Sequence, residues 1–491
     1  MTGLVALVVY ALHGYDGVLD RDLGVFTYGG LQVAKGSPPY VDLFNSVGPL
    51  ADAVPGLAIR LGQVVDADPV LSARLFFTVL SAVCCSLLCV LARDTLGSRA
   101  AGFIAPALFL TFEDFVRLAS DGPREKTTMV LFLLLCLILL GRRRWALAGA
   151  CAALATLTWQ PVFAVTLGAL AAATLLDQRD RRSRILLRFT LGGLVPSVAT
   201  VVYFLAAGAL TRAVDGFIVI NAAYTRQPSF FSHAATTSGI LLKAYDLSLF
   251  LIVGGLLAGM VLGARALPLA RRPTADPLAR RLAVNAAGGL VGVVWTLLVI
   301  NGAPDIFVVL PFAALGLAAA AVRLLARLPR RLALTTAVAV VCLGVGAAGV
   351  QSVSTRGHML DVQRADVAAV LATQPADATI VSLNAPEALA LAGRENPVPY
   401  QVMNQAQDRY LSATYPGGLP GFLQTLEDLH PTFVVVSQGL RETWPDQWLA
   451  DDYRRVGGGA GFVWWLSRSA GPDALAAARF AHDQVMTAFG R

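Results

Sequence analysis

Charged side chains are scarce in this sequence of 491 residues. Asp, Glu, Lys and Arg together make up 14% of it, hydrophobic residues make up 56%, and the mean hydropathy is +0.63. A soluble domain carries about 25% charged residues. The low charge therefore excludes an ordinary soluble protein and predicts an integral membrane protein.

Several motifs with a known chemistry are also missing. The sequence contains no GxxxxGK[ST] loop, no HExxH, no CxxC and no GxSxG, so ATP-driven transport, zinc hydrolysis and serine catalysis lose their usual support. The five histidines are scattered without ligand spacing, and the six cysteines all lie inside apolar segments. We therefore predict no cofactor and no metal site; a divalent metal is compatible with the sequence but not indicated by it.

Apolar segments of roughly 12 to 23 residues recur over the first 350 positions, as expected of helices that cross about 30 Å of hydrocarbon. They predict an α-helical polytopic membrane protein with about eleven transmembrane helices, counted by the same rule. The segments are 1–12, 69–91, 100–112, 127–141, 146–158, 161–176, 189–209, 246–264, 282–300, 306–322 and 332–350. The stretch 145–176 fits this count only as a hairpin bent near Pro161.

The sequence changes character after residue 350. Helix-like patterns alternate at short intervals with the strand-like TIVSLN, the apolar run TFVVVS and the β-rich YRRVGGGAGFVWWLSR. We predict two domains, a transmembrane domain over 1–350 and a small C-terminal α/β domain over 351–491. Because no low-complexity linker separates them, we expect the tail to pack on the membrane part.

The distribution of arginine predicts the orientation in the membrane. The net charge of +7 comes largely from arginines in a few short loops, at 142–144, 179–188, 265–281 and 323–331. If each helix reverses the side of the chain, these loops fall on one face, which is the cytoplasmic one. The prediction is a multi-pass protein of the plasma membrane with a cytoplasmic N-terminus, an outer first loop at 13–68 and an extracytoplasmic C-terminal domain. This distribution also argues against a nucleic-acid partner.

Three aspartates open the first outer loop. Asp16, Asp20 and Asp22 follow directly after the first apolar segment. A carboxylate at the membrane boundary is partly desolvated, which raises its pKa and suits it to accept a proton. The alternative is an ordinary acidic loop in contact with water.

Lysine is rare and lies only in the predicted outer loops, at Lys35, Lys126 and Lys243. A compact ammonium group at the outer surface suits a phosphate at headgroup depth, although chance placement gives the same pattern. Arg124 and Lys126 belong to a Pro-Arg-Glu-Lys turn before a predicted helix, which predicts an anion site or simply a capped helix start.

The third outer loop adds Tyr224 and Arg226, within VINAAYTRQPSFF. The ring and the guanidinium group can stack on or bond to a sugar or a phosphate. An aromatic belt at the membrane interface explains the aromatic residues equally well.

The first loop resembles that of a known family. The segment YDGVLDRDLGVFTYGGLQVAKGSPPYVDLFNSVGPL is similar to the first outer loop of the GT-C superfamily of integral membrane glycosyltransferases, especially the bacterial family 39-like branch related to protein O-mannosyltransferases and aminoarabinose transferases. RLASDGPREKTTMVLF and APDIFVVLPFAALGLA are looser matches. The matching positions of the first loop are Asp20, Asp22, Gly36, Pro39, Tyr40, Asp42, Phe44 and Pro49.

The resemblance implies an inverting transfer of a sugar from a polyprenyl-phosphate carrier to an acceptor hydroxyl outside the membrane. It assigns the general base, or a carboxylate that orients the sugar, to Asp22, with Asp20 in support. The expected partners are the lipid-linked sugar donor, membrane lipid, and a glycan, lipid or protein acceptor. The looser donor-site and phosphate-site candidates are Lys35, Arg124, Lys126, Tyr224, Arg226 and Lys243.

Two other functions fit the sequence. One is a glycolipid-binding transporter or flippase-like protein without transferase activity, and the other is a membrane scaffold that presents its tail domain. Charged residues inside the predicted spans are almost absent, which weighs against an ion-coupled carrier. Replacing Asp22 discriminates, because only a transferase needs its carboxylate for chemistry.

Overall fold

The computed structural model describes residues 1–225, 229–272, 276–459 and 461–490. Helices make up almost all of the regular structure up to residue 354. They are α1 (Thr2–His13), α2 (Arg21–Lys35), α3 (Leu50–Gln63), α4 (Pro69–Leu96), α5 (Arg99–Phe109), α6 (Glu113–Asp121), α7 (Glu125–Gly141), α8 (Trp145–Thr156), α9 (Val162–Leu176), α10 (Arg182–Ala206), α11 (Leu210–Val214), α12 (Ala234–Tyr245), α13 (Ser248–Ala270), α14 (Pro277–Leu298), α15 (Leu310–Leu325) and α16 (Arg330–Ser354). A π-helical segment, Asp215–Tyr224, follows α11, and short 3₁₀ turns lie at Phe230–Ser232 and Ala303–Val308.

Each predicted apolar segment overlaps one of these helices. In the described part of the chain, five helical segments are long and apolar enough to cross a membrane: Pro69–Leu96, Arg182–Ala206, Ser248–Ala270, Pro277–Leu298 and Arg330–Leu371. Shorter apolar helices are Thr2–His13, Arg99–Phe109, Trp145–Thr156, Val162–Leu176 and Leu310–Leu325. The mostly helical architecture is thus as predicted, while the total of about eleven spans stays a prediction.

Local sequence signals explain where the helices next to the site begin and end. The Asp20 side chain accepts a hydrogen bond from the Leu23 N–H at the start of α2, and Gly36 ends that helix with a φ of 105°. In α4 the Asp68 side chain caps the N-terminus and Pro69 takes the first helical position. These are the residue types that suit helix ends, because they satisfy free N–H groups or adopt the left-handed conformation.

Glycine lets two of the helices approach closely. A Cβ atom on Gly149 of α8 would overlap the carbonyl oxygen of Phe189, and one on Gly192 of α10 would overlap that of Ala146. Small residues at such crossings are typical of helix packing in membranes. The predicted break near Pro161 lies between α8 and α9, where Pro161 directly precedes α9.

The C-terminal part combines helices with a small sheet. Its elements are α17 (Met359–Leu371), β1 (Ile380–Leu383), α18 (Pro386–Ala392), α19 (Gln405–Thr414), α20 (Gly418–Asp428), β2 (Phe433–Ser437), α21 (Asp446–Asp452), β3 (Tyr453–Gly458), β4 (Phe462–Ser467) and α22 (Gly471–Ala488). The strand order is β1-β2-β4-β3, with β1 parallel to β2 and the other pairs antiparallel.

Both faces of the strand β2 are buried. Phe433 and Val435 of β2 belong to the main hydrophobic cluster of the protein, whereas Val434 and Val436 belong to a second cluster. Successive side chains of a strand point to opposite faces. The central strand therefore reads as a continuous apolar run, which is typical of a strand covered on both sides.

The C-terminal part packs directly on the loop before α2 and on α2 itself. The Gln363 side chain accepts a hydrogen bond from the Leu19 N–H at 2.8 Å and donates one to the Leu19 carbonyl oxygen at 2.9 Å. Glu387 of α18 lies against Gly24 of α2, where an added Cβ would be 2.7 Å from the Glu387 backbone nitrogen. The expected boundary at residue 350 falls inside α16, and the division into two domains stays a prediction.

Candidate active site

The N-terminus of α2 is held from several sides, and this fixes Asp22. The guanidinium group of Arg74, buried in α4, donates hydrogen bonds to the carbonyl oxygens of Tyr15 and Gly17. The Asp20 carboxylate caps the helix at 2.9 Å from the Leu23 nitrogen. Asp22, in the first turn, is left to point away from this anchored loop.

Asp22 lies between two arginines. Its Oδ1 accepts hydrogen bonds from Arg21 at 3.0 and 2.6 Å, and its Oδ2 accepts one from Nη1 of Arg124 at 2.9 Å. The side chain is 39% exposed. Burial favours the neutral acid, but Arg124 and Arg21 outweigh it and hold the pKa of Asp22 below its usual range. Asp22 is therefore ionised and, while it is paired, a weak base.

The start of α7 contributes three consecutive charged residues, all buried. Glu125 lies between two cations, 2.6 Å from Lys126 and 3.4 Å from Arg124. Lys126 also lies 3.2 Å from Asp305, whose other oxygen accepts the backbone N–H of Asn301 at 2.7 Å. Buried charges require such partners, since unpaired ones are costly to desolvate.

The cations of this network stay protonated. Burial lowers the pKa of Lys126, but Glu125 and Asp305 more than compensate, so that its pKa lies above the usual value. Arg124 behaves in the same way because of Glu125 and Asp22. The site therefore offers two fixed positive charges, Arg124 and Lys126, beside the ionised carboxylate of Asp22. The network as a whole contains equal numbers of acidic and basic side chains.

These side chains line one cavity of about 730 Å³, here called the central cavity. Its lining includes the charged residues Asp22, Arg124 and Lys126. It also includes apolar side chains of α9 and of the end of α14, namely Phe163, Ala164, Trp295 and Val299. A volume in this range suits a ligand of moderate size, and a lining with both charged and apolar side chains suits an amphiphilic one.

Aromatic rings and amides complete the lining. The Lys126 ammonium lies 5.5 Å from the Trp159 ring centroid, close enough for a cation–π contact. Asn221 and Gln160 both donate to the Ser46 carbonyl oxygen, at 2.7 and 3.0 Å, and so connect the π-helical segment and the break before α9 to the first outer loop. Asn45, in the same loop, donates to Asp52.

Three of the predicted residues meet at the central cavity, namely Asp22, Arg124 and Lys126. Asp20 does not line it and instead caps α2. Tyr224 lies 5.6 Å from the Tyr410 ring centroid and does not line it either.

Two of the three lysines are remote from the central cavity. Lys35, the last residue of α2, pairs with Glu395 at 2.8 Å on the surface. Lys243 is exposed on α12 and does not line the cavity. The structure gives neither a place in a donor site built around Asp22. Arg226 lies outside the described residues.

Sequence reasoning missed Glu125 and Asp305 as ion-pair partners and Asn45, Asp52 and Trp159 as neighbours of the site. Three of the five, Glu125, Asn45 and Asp305, lie in the segments PREK, FNSVGPL and APDIF, whose letters suggest a role. Nothing in the sequence, however, indicates that these distant segments meet. No group of three or more His, Cys, Asp or Glu side chains that suits a metal ion occurs in the described parts of the chain.

The fold of the whole chain is similar to that of known membrane proteins. The structure of ArnT from Cupriavidus metallidurans in the apo state aligns with a TM-score of 0.65 and 16% identity over 96% of this chain and 98% of that chain. ArnT bound to undecaprenyl phosphate aligns with a TM-score of 0.62 and 15% identity over the same shares.

The archaeal oligosaccharyltransferase AglB from Archaeoglobus fulgidus, in complex with an inhibitory peptide and a dolichol-phosphate, aligns with a TM-score of 0.54 and 12% identity over 98% of this chain and 77% of that chain. No family model matches the sequence, and no curated protein matches it. The structural similarity shows that the chain has the GT-C fold, so the fold implied by the first-loop resemblance is confirmed.

Proposed function

We propose that this protein is a glycosyltransferase that moves a sugar from a polyprenyl-phosphate donor to an acceptor hydroxyl of a cell-envelope glycan, lipid or protein. The observation that carries the proposal is the meeting of Asp22, Arg124 and Lys126 at one cavity within a GT-C fold. The arginine distribution supports a location of this cavity at the outer face of the plasma membrane, with a cytoplasmic N-terminus.

The lining of the central cavity supports a lipid-linked donor. The two positive charges of Arg124 and Lys126 suit a phosphate, and apolar side chains such as Phe163 and Trp295 suit an isoprenoid chain. Two proteins of the same fold, ArnT and AglB, have been determined with undecaprenyl phosphate and with a dolichol-phosphate. The lining of the cavity and the similarity of the fold both favour a polyprenyl-phosphate donor over a nucleotide-sugar donor.

The proposed reaction uses each of the three side chains. The acceptor oxygen attacks the anomeric carbon of the sugar while the bond from that carbon to the phosphate oxygen breaks, and the electron pair of that bond stays on the phosphate. The acceptor proton passes to the Asp22 carboxylate. Arg124 and Lys126 stabilise the charge that develops on the leaving phosphate, in the manner of fixed electrostatic catalysis. Attack on the face opposite the phosphate inverts the anomeric configuration.

The test compares wild-type protein with Asp22→Asn, using purified full-length protein and polyprenyl-phosphate donors with a radiolabelled sugar. A general base contributes about 10²- to 10⁴-fold to the rate, so transfer falls by that factor while donor binding persists. The matched control is Asp66→Asn in the same predicted loop. Asp66 is exposed, does not line the central cavity and has a φ of 53°, a conformation that asparagine tolerates.

Two results contradict the proposal. Transfer by Asp22→Asn at the wild-type rate would remove the base from the mechanism. Movement of labelled donor between the two leaflets by wild-type protein, with no transfer to any acceptor, would instead favour the flippase-like alternative.

A further inference from the structure

A second cavity, of about 430 Å³, lies between the C-terminal part and the segment around α11. We call it the tyrosine cavity, because three tyrosines contribute to its lining together with one arginine and one aspartate. These residues are Arg212, Asp215, Tyr400, Tyr410 and Tyr415. None of them belongs to the central cavity.

The tyrosine rings are held in place by one another and by Phe44. The Tyr400 ring centroid is 5.3 Å from that of Phe44, 6.1 Å from that of Tyr415 and 6.5 Å from that of Tyr410. Phe44 also stacks on Tyr410 at 5.0 Å with an interplanar angle of 19°. These contacts join the rings into one cluster, here called the aromatic wall, on which a flat apolar surface can pack.

Polar groups of both signs border this wall. The Tyr410 hydroxyl donates to Asp215 at 3.0 Å, and the Arg212 guanidinium group lies 6.0 Å from the Tyr400 ring centroid. Arg212 is exposed and, among the described residues, has no carboxylate within ion-pair distance. Its donors are therefore free to bind a ligand, next to a carboxylate that accepts.

This combination suits a carbohydrate. One face of a sugar ring presents C–H groups that pack on aromatic rings, while its edge presents hydroxyl groups that both donate and accept. A carboxylate accepts from such hydroxyls and a guanidinium group donates to them through charge-assisted hydrogen bonds. An anionic headgroup would meet the negative charge of Asp215, and an acyl chain would leave the Arg212 guanidinium group without a hydrogen-bond acceptor.

The two cavities are built from the same chain segments. Asp215 opens the π-helical segment at the tyrosine cavity, and Asn221, six residues later, lines the central cavity. Tyr400 lines the tyrosine cavity, and Val402 lines the central one. Phe44, in the aromatic wall, directly precedes Asn45 of the central cavity. The two cavities are therefore neighbours along these three segments.

We propose that the tyrosine cavity binds the inner sugars of a carbohydrate acceptor whose terminal hydroxyl reaches Asp22. This inference rests on the proposed glycosyltransferase function and narrows its acceptor from a glycan, lipid or protein to a carbohydrate chain. It assigns Arg212, Asp215 and Tyr400 to acceptor binding and leaves the chemistry to the central cavity.

The first test measures binding without any donor. Oligosaccharides of two to six sugars, released by mild acid from the cell envelope of the source organism, are titrated against full-length protein in nanodiscs. The variants are Arg212→Gln, Asp215→Asn and Tyr400→Ala, with Arg441→Gln as a matched exposed control in the C-terminal part, outside both cavities. Arg212→Gln replaces an exposed side chain and should preserve the fold even if Tyr400→Ala destabilises it.

We expect each cavity variant to weaken binding of the longer oligosaccharides about tenfold, which corresponds to about 1.4 kcal/mol, and Arg441→Gln to bind like wild type. Equal binding by wild type and Arg212→Gln overturns the inference. The absence of oligosaccharide binding by wild type also overturns it. So does a result in which Arg212 binds only anionic lipid of the nanodisc and no oligosaccharide.

The second test separates this inference from the proposed function. In the transfer assay, Arg212→Gln should raise the KM for long acceptors about tenfold and leave both kcat and the donor KM unchanged. Asp22→Asn should lower kcat and leave oligosaccharide binding unchanged. If wild type binds oligosaccharides through Arg212 but transfers no sugar, the proposed transferase fails while the carbohydrate site stands. If wild type transfers sugar and Arg212→Gln has the same KM for every acceptor length, the acceptor site fails alone.

Discussion

Asp52 is a buried carboxyl group directly behind the central cavity, and it makes the stability of the protein depend on pH. It is 1% exposed. Its Oδ2 accepts a hydrogen bond from Asn45 at 2.9 Å, and its Oδ1 has no hydrogen-bond partner among the described residues. Burial raises the pKa of Asp52 to about 7; the Asn45 hydrogen bond opposes this rise, and the nearby charge of Glu125 adds to it.

The direction of the pH effect on stability follows from the difference in the pKa of Asp52 between the folded and the unfolded chain. Below a pH of about 3.8 the group is protonated in both folded and unfolded chains, and the folded state has its full stability. As the pH rises from there through about 7, the unfolded chain ionises freely while the folded one cannot, so the free energy of unfolding falls. At 1.36 kcal/mol for each pH unit, the loss is about 4 kcal/mol in all, of which about 2 kcal/mol falls between pH 5.5 and pH 8.

The perturbation is Asp52→Asn, which keeps an oxygen to accept from Asn45 and cannot ionise. Thermal unfolding of wild type and variant in detergent should give similar melting temperatures at pH 5.5 once the constant offset of the substitution is subtracted. At pH 8 the variant should melt several degrees higher relative to wild type, by a gain of about 2 kcal/mol. Asp66→Asn, on the exposed loop, controls for the loss of one carboxylate. A difference between Asp52→Asn and wild type that is the same at both pH values would refute the reasoning, because it would show that Asp52 does not titrate there.

Two further predictions concern packing and donor binding. Gly24→Val should loosen the contact between α2 and α18 and lower the free energy of unfolding by about 1–3 kcal/mol, because its Cβ would lie 2.7 Å from the Glu387 backbone. Limited proteolysis should then cut the C-terminal part faster. An unchanged digestion rate would contradict this prediction. Lys126→Met should raise the donor KM about tenfold or more, since hydrogen bonds to charged groups contribute about 1.5–3 kcal/mol. The control Lys35→Met, at the surface beside Glu395, should leave the donor KM unchanged. Equal effects of the two substitutions would refute the placement of the phosphate.

Much of the helical architecture could be predicted because hydrophobic segments of spanning length are a strong local signal. The helix α2 was not predicted. Its sequence contains Gly24, Gly29 and Gly30, which disfavour a helix in isolation. In the folded protein these glycines let α2 approach other parts of the chain, since a Cβ on Gly30 would lie 2.7 Å from the Pro55 Cβ and one on Gly24 would meet Glu387. Tertiary packing, which no local pattern reports, outweighs the propensity.

The same helix explains why Lys35 lies away from the central cavity. Lys35 is 13 residues after Asp22, and a helix rises 1.5 Å per residue, so their backbones are about 20 Å apart. As an irregular loop, the same stretch would have allowed them to meet. Arg124, in contrast, directly precedes α7 and bonds to Asp22, and Lys126, in the first turn of α7, lines the same cavity. Asp305 joins them from about 180 residues further on, a distance in sequence that only the fold closes.

The charge balance of the central cavity implies an order of events. Asp22 accepts a hydrogen bond from Arg124 at 2.9 Å, and the pKa of Asp22 is low because of Arg124 and Arg21 together. A donor phosphate competes for the same guanidinium donors, and its own negative charge disfavours a second anion beside it. Under the proposed function we therefore expect phosphate binding to weaken the contact of Asp22 with Arg124 and to raise the pKa of Asp22. The expected consequence is that the carboxylate of Asp22 accepts a proton from the acceptor hydroxyl more readily once the lipid phosphate is bound.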